Sequence, residues 1–196
     1  QYQAMAIISF TCIDTLTLHE GNRVKRWVNV ERVAARKLAQ LAWSGVLDDL
    51  KAPPGNKLVA LKGERKGQHP TPSNGGCASS GPRKVPGKLR SLMTTEFKGV
   101  RFMARTSAPV SLGEMLNEEF LKPLGLTKYR LAKDIGMPPQ RIGDTVAGKR
   151  SVTADTDWRL CRYFGLSDGW WLRGQASYDT AMAREAMSDE LSRIPR

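Results

Sequence analysis

Hydrophobic positions recur at three- and four-residue steps in several stretches of this chain, and each such stretch predicts a helix. Between Asn29 and Leu47 the stripe is Val30, Val33, Ala34, Leu38, Leu41 and Ala42, with Arg32, Arg36, Lys37 and Gln40 expected outside. The breaker cluster Ala52-Pro53-Pro54-Gly55-Asn56 follows. Two short apolar runs, Ile7 to Phe10 and Lys57 to Leu61, are each long enough for one strand. Leu112, Met115, Leu116 and Phe120 mark a helix from Leu112 to Leu121, broken between Pro123 and Leu126. Thr127 is placed to cap a helix from Lys128 to Ile135, because its hydroxyl can accept from an exposed amide. Gly136 sits where a helix ends in a left-handed residue. Pro139 suits the first turn of the next helix, where its missing N–H costs nothing; that helix runs to about Ala147 and stops at Gly148. A further helix starts at Thr153 or Ala154 and ends at Phe164 before Gly165. Another begins near Ser167, and Tyr178 to Ser192 forms the last.

Between His69 and about Arg90 the periodicity stops. HPTPSNGGCASSGPRKVPGK holds four Pro, four Gly and three Ser, and Val85 is its sole apolar β-branched or aromatic residue. Such a stretch cannot bury a face and reads as a disordered linker. The expected organisation is an N-terminal part over 1–69, a linker over 70–105 and an all-helical domain over 106–196. Lys and Arg number 31 against 19 Asp and Glu, a net charge of +12, which favours an anionic partner, nucleic acid before lipid. The charge is uneven. Residues 1–92 hold 15 basic and 6 acidic residues, so they carry +9 and leave +3 for residues 93–196. No run of about 18 apolar residues exists, so no membrane span is expected. No charged-then-apolar leader opens the chain, so a cytoplasmic location is expected. Three widely spaced cysteines and two histidines suggest neither a disulfide framework nor a metal site, and no cofactor or catalytic residue is assigned. Cys161, beside Leu160 and Phe164, reads as a small buried residue. Of the adjacent pair Trp170 and Trp171, the second is expected to face inward and the first to be partly exposed.

The most informative segment is TKYRLAKDIGMPPQRIGDTVAGKR, from Thr127 to Arg150. Leu131, Ala132 and Ile135 form the inner face of its first helix, Ile142 and Val146 that of its second. Ala132 is small where two helices must cross closely. This spacing is a helix-turn-helix, whose second helix docks in the major groove. That helix presents Pro139, Gln140 and Arg141, then Asp144 and Thr145 one turn on. Gln140 can bond bidentately to adenine, and Arg141 can read guanine or grip phosphate. Thr127 and Lys128 before the first helix's body, and Lys149 and Arg150 after the second, are placed as phosphate anchors. Gly143 inside the reading helix weakens it by about 1 kcal/mol relative to Ala. The bland alternative is a small helical bundle with a solvated basic loop.

GLTKYRLAKDIGMPPQRIGDTVAGKRSVTADTDWRLCRYFGLSDGWWLRGQASYD resembles the HigA family of antitoxins, within the wider Xre/Cro-type helix-turn-helix class. The resemblance covers about Ser111 to Ala186. It implies a lambda-repressor-like domain of about five helices, a homodimer, binding to operator DNA, repression of a toxin–antitoxin operon, and a HigB-type toxin as partner. Trp158, Gly169-Trp170 and Arg173-Gly174 depart from the family's pattern. Residues 6–69 carry a second resemblance, to HigB toxins, which are RelE-like ribosome-dependent mRNA endonucleases. It rests on AIISF, LAQLAWSGVLDDL and PPGNKLVALKGERKGQH. That family continues with two or three more strands, where this chain has the Pro/Gly/Ser stretch. The N-terminal part is therefore expected to be an incomplete α+β remnant without nuclease activity. A reading-frame shift between about Gln68 and Asn74, or a genuine fusion with an evolved linker, accounts for it. The expected function is that of a DNA-binding antitoxin and repressor, not an enzyme. The alternatives are an active fusion whose nuclease is silenced in cis, and a general Xre-type regulator.

Overall fold

The computed structural model describes residues 12–56 and 107–187, with residues 7, 10, 190 and 193. The linker expected over 70–105 and the strand expected from Lys57 to Leu61 lie outside the described residues, as do Ile8 and Ser9 of the other strand. Among the described residues every regular element is helical. Helix α1 is Ile13–His19 and α2 is Glu31–Trp43, with single 3₁₀ turns at Lys25–Trp27 and Leu47–Leu50. Helix α3 joins Leu112–Met115, a π-helical turn Leu116–Leu121 and Lys122–Leu124. Then come α4 (Lys128–Asp134), α5 (Pro139–Val146), α6 (Ala154–Phe164) and α7 (Trp170–Ala186). None of these helices is long and apolar enough to cross a membrane.

Two helices differ from expectation. Helix α3 runs through Pro123 and ends at Gly125, whose φ of +63° suits a residue without a side chain. The widened π turn just before it accommodates the proline ring. Helix α7 is continuous where two helices were expected. It starts only at Trp170, because Asp157 on α6 organises the turn before it. This buried carboxylate accepts from the N–H groups of Gly169 (2.8 Å), Trp171 (2.9 Å) and Leu172 (3.1 Å). It thus takes up amides that a helix N-terminus leaves without intrahelical partners.

The core gathers Met115, Leu116, Phe120, Leu131, Ile142, Leu160, Trp170 and Trp171, all fully buried. Cys161 is buried as expected. Burial, then the neighbouring Asp157 charge, pushes its thiol up to about 12. The expectation that Trp170 would be partly exposed is corrected, because both tryptophans have zero exposure. Two adjacent residues on a helix can both be inside when the helix is covered on two sides. Trp171 packs on Phe120 (5.3 Å between ring centroids) and Phe164 (6.4 Å). Trp170 meets Trp43 of α2 edge to face at 5.2 Å.

Helix α2 therefore lies against the C-terminal helices, and the face assigned to it is also corrected. Ala35, Ala39 and Ala42, with Trp43, are the apolar residues that pack on the core, and Val33 is exposed. Small alanines let the helix approach closely, and its supposed solvent face becomes the flank of the contact. Arg32 donates to Glu114 and to the Ala108 carbonyl (2.7 Å). Arg36 bonds Glu119 (2.7 Å) and Glu114 (3.2 Å), and Lys37 bonds Glu119 (2.5 Å) and Asn56 (2.6 Å). Gln40, 1% exposed, accepts from Asn56 at 2.9 Å. Past the helix, Asp49 accepts from the backbone N–H of Ser167 (2.6 Å) and from its hydroxyl (2.7 Å). Arg173 donates to the Trp43 carbonyl at 2.6 Å.

Magnitudes separate anchor from register. Truncating a buried tryptophan costs about 3–5 kcal/mol. A partly buried ion pair contributes less, after desolvation, and chiefly selects one geometry. Trp43 is thus the anchor, and the Arg/Lys–Glu contacts set where the helix sits.

Burial alone would raise the Glu119 carboxyl, but its bonds to Arg36 and Lys37 outweigh that and hold it below its ordinary 4.5. A carboxyl depressed in the folded state contributes stability above its unfolded value and loses it as pH falls through the folded value. We predict that hydrogen-exchange protection of residues 31–43 falls as pH drops from about 5 to about 3. Protection that, after correction for intrinsic exchange rates, stays constant over that range would show that the carboxylate contacts do not hold α2.

Candidate nucleic-acid interface

Helices α4 and α5 form the expected pair. Thr127 caps α4, its hydroxyl accepting from the Arg130 N–H at 3.1 Å. The turn closes through Met137 N–H to the Ala132 carbonyl at 2.8 Å and uses Gly136 at φ +65°. Leu131, Ala132 and Ile142 are fully buried between the helices. Pro139 occupies the first turn of α5, and Gly148 at φ +70° follows its end.

Two contacts that sequence reasoning missed hold the pair in place, one at the end of α5 and one at the turn after α4. A Cβ on Gly113 would lie 2.3 Å from the Val146 carbonyl oxygen and 2.6 Å from that of Thr145. Only glycine lets α3 run so close to the end of α5. Arg159 on α6 is the second. It bonds Asp155 at 2.8 Å and the Ile135 carbonyl, at the end of α4, at 2.9 Å. A glycine early in a helix and an arginine one turn into the next gave no local signal of either role.

The predicted site residues divide by exposure. Thr127, Lys128, Pro139, Gln140, Lys149 and Arg150 are exposed, and Asp144 is half-buried. Among the described residues, Lys128, Lys149 and Arg150 form no ion pair. Arg141 is committed elsewhere, bonding the Thr153 hydroxyl at 3.0 Å and Asp155 at 3.3 Å. The bond from Arg159, ahead of any effect of Arg141, holds the Asp155 carboxyl below its ordinary range. Thr145 is a correction: it is 3% exposed and donates to the Arg141 carbonyl at 3.0 Å, so it faces the core and not a groove. What remains exposed is the start of α5, Pro139-Gln140, and the cations at the start of α4 and just beyond α5 in the chain. Such a set of side chains suits a base edge and nearby phosphates.

A helix-turn-helix family model matches residues 118–171. The chain is similar to virulence-associated protein I of Dichelobacter nodosus, at 48% identity over 73 residues, 37% of this chain and 68% of that protein. It is similar to antitoxin HigA-1 of Vibrio cholerae, at 33% identity over 82 residues, 42% of this chain and 77% of that protein. Among solved structures it is similar to the Pseudomonas aeruginosa antitoxin HigA with the higBA promoter. That match has 31% identity and a TM-score of 0.43, covering 44% of this chain and 96% of that one.

Gly143 lies inside α5 with nothing within 4 Å of where a Cβ would stand. Gly143→Ala is expected to stabilise the protein by about 0.5–1 kcal/mol, seen as a higher thermal midpoint. A lower midpoint would mean that the glycine is required by contacts absent from this geometry.

Proposed function

Because the chain belongs to the HigA family of helix-turn-helix proteins, we propose that it is a sequence-specific operator-binding repressor of a toxin–antitoxin operon, acting as a homodimer in the cytoplasm. The observation that carries this reading is the exposed start of α5, Pro139 and Gln140, together with the exposed cations Lys128 in the first turn of α4 and Lys149 and Arg150 just after α5. Gln140 reads a base edge, with adenine its best bidentate partner. The three cations and Thr127 at the start of α4 hold phosphates. Asp144, half-buried one turn on from Gln140, borders the contact and disfavours phosphate beside it. Arg141 keeps α5 in register with α6 through Thr153 and Asp155, and so acts on reading indirectly.

We further propose that residues 1–69 descend from a HigB-type toxin, on the strength of the PPGN…LKG…GQH pattern, and carry no catalysis. An intact HigB-type toxin is the natural protein partner of such a repressor. The alternative of a general Xre-type regulator differs in its target, which would not be the chain's own upstream region.

A gel shift against DNA upstream of the gene tests the reading. Gln140→Ala should weaken specific binding by about 5- to 150-fold, the worth of one bidentate base contact. Replacing Lys149 and Arg150 together by alanine should weaken binding to all sequences and lower the salt slope by about 2. Unchanged affinity in Gln140→Ala would overturn the assignment of the reading helix, and absence of upstream binding would favour the general regulator.

A further inference from the structure

The contact between α2 and the C-terminal helices has the form of a ligand in a site. The receiving side supplies two carboxylates, Glu114 and Glu119, an aromatic wall, Trp170, and a notch at Gly174. A Cβ on Gly174 would lie 2.8 Å from the Trp43 ring, so the notch exists only because the residue is glycine. The entering side supplies Arg32, Arg36, Lys37, Gln40 and Trp43 along one helix. Opposite charges meet in each ion pair between α2 and α3: Arg32 on Glu114, Arg36 on both glutamates, Lys37 on Glu119. Asp49 then reaches Ser167, and Arg173 closes over the Trp43 carbonyl. Two of the places where the C-terminal sequence departs from the HigA pattern, Gly169-Trp170 and Arg173-Gly174, are among the residues that receive this helix.

The occupant contributes little to the helix-turn-helix core beyond one large side chain. Trp43 is the one buried member of the core cluster from the N-terminal segment, with Ala35, Ala39 and Ala42 packed at its edge; among the described residues every other buried member lies between Val110 and Trp171. Residues 57–111 separate the occupant from the receiving helices. Both lie on one chain, so a separate copy of the segment would compete with a tethered one.

We propose that the face formed by Glu114, Glu119, Ser167, Trp170 and Gly174 is a docking site for a basic helix ending in tryptophan, and that residues 31–56 are its built-in, exchangeable occupant. The chain is therefore self-occupied. It refuses a separate protein bearing the same helix, and accepts one when its own segment is displaced. This inference does not depend on the DNA reading, and its failure leaves that reading untouched.

The test uses the full chain and a fluorescent peptide of residues 29–56, followed by anisotropy. Wild-type chain should capture the peptide at least about 100-fold more weakly than a chain carrying Arg36→Ala and Trp43→Ala, which empties the site. Capture by the emptied chain should vanish with a peptide carrying Trp43→Ala, and on adding Gly174→Val to the chain. Hydrogen exchange of residues 128–164 checks that the emptied chain is folded. Equal capture by wild-type and folded emptied chains would overturn the proposal. So would unfolding of 128–164 in the emptied chain, which would make the segment an integral part of the core. Gly174→Val alone, which leaves the occupant's sequence intact, should deprotect 31–43 and spare 128–164. Unchanged protection of 31–43 there would also overturn it.

Discussion

The carboxylate of Asp157 decides where α7 begins, and much else follows from that. Fully buried on α6, it accepts from three amides of the first turn of α7, those of Gly169, Trp171 and Leu172. Hydrogen bonds to a charged acceptor contribute about 1.5–3 kcal/mol each, enough to offset the desolvation of one carboxylate. The phase of α7 is thereby set so that its first two residues, both tryptophans, diverge. Trp171 closes the helix-turn-helix core against Phe120 and Phe164, and Trp170 turns toward Trp43. One buried anion thus organises both the DNA-reading domain and the face that receives the N-terminal segment.

The recognition helix is rigid for a related reason. It is not held by its own propensity, which Gly143 lowers. It is held by neighbours: α3 touching its end at Gly113, α6 clamping the turn through Arg159, and Arg141 bridging to Thr153 and Asp155. These commitments leave Gln140 as the long polar side chain standing free at the tip. In the proposed function, specificity then depends on few contacts, and the exposed cations supply affinity rather than discrimination. The net charge takes on a different meaning here. Part of the basic excess of residues 1–92 is not aimed at nucleic acid, because Arg32, Arg36 and Lys37 are paired within the molecule with Glu114 and Glu119, which offset two of their three charges.

What was legible in the sequence was local. Thr127, Gly136, Pro139, Gly148 and Gly165 each answer a backbone demand within a few residues, so the ends of α4, α5 and α6 could be read directly. What was not legible was complementarity across distance. Arg32 meets Glu114 and Asp49 meets Ser167 over separations of 82 and 118 residues, and neither leaves a local trace. The face of α2 was misread because alanines flanked by long cations look the same whether the cations meet water or carboxylates. Trp170 was misread because its cover comes from the other end of the chain. Thr145 looked like a groove contact by spacing, but the close pass of α3 turns that side of α5 inward. The strand expected from Lys57 to Leu61 and the linker expected over 70–105 lie outside the described residues, as do Ile8 and Ser9 of the other expected strand.

The central claim is that the exposed tip of α5 and its flanking cations form the DNA-contacting surface. Amide chemical-shift mapping of the full chain, titrated with duplex DNA from upstream of its gene, addresses this most directly. The account predicts shifts centred on Thr127, Lys128, Gln140, Arg141, Lys149 and Arg150, with the amides of Ala39, Trp43 and Gly174 unmoved. Shifts centred on α2 and α7, or saturation without change around Gln140, would contradict it.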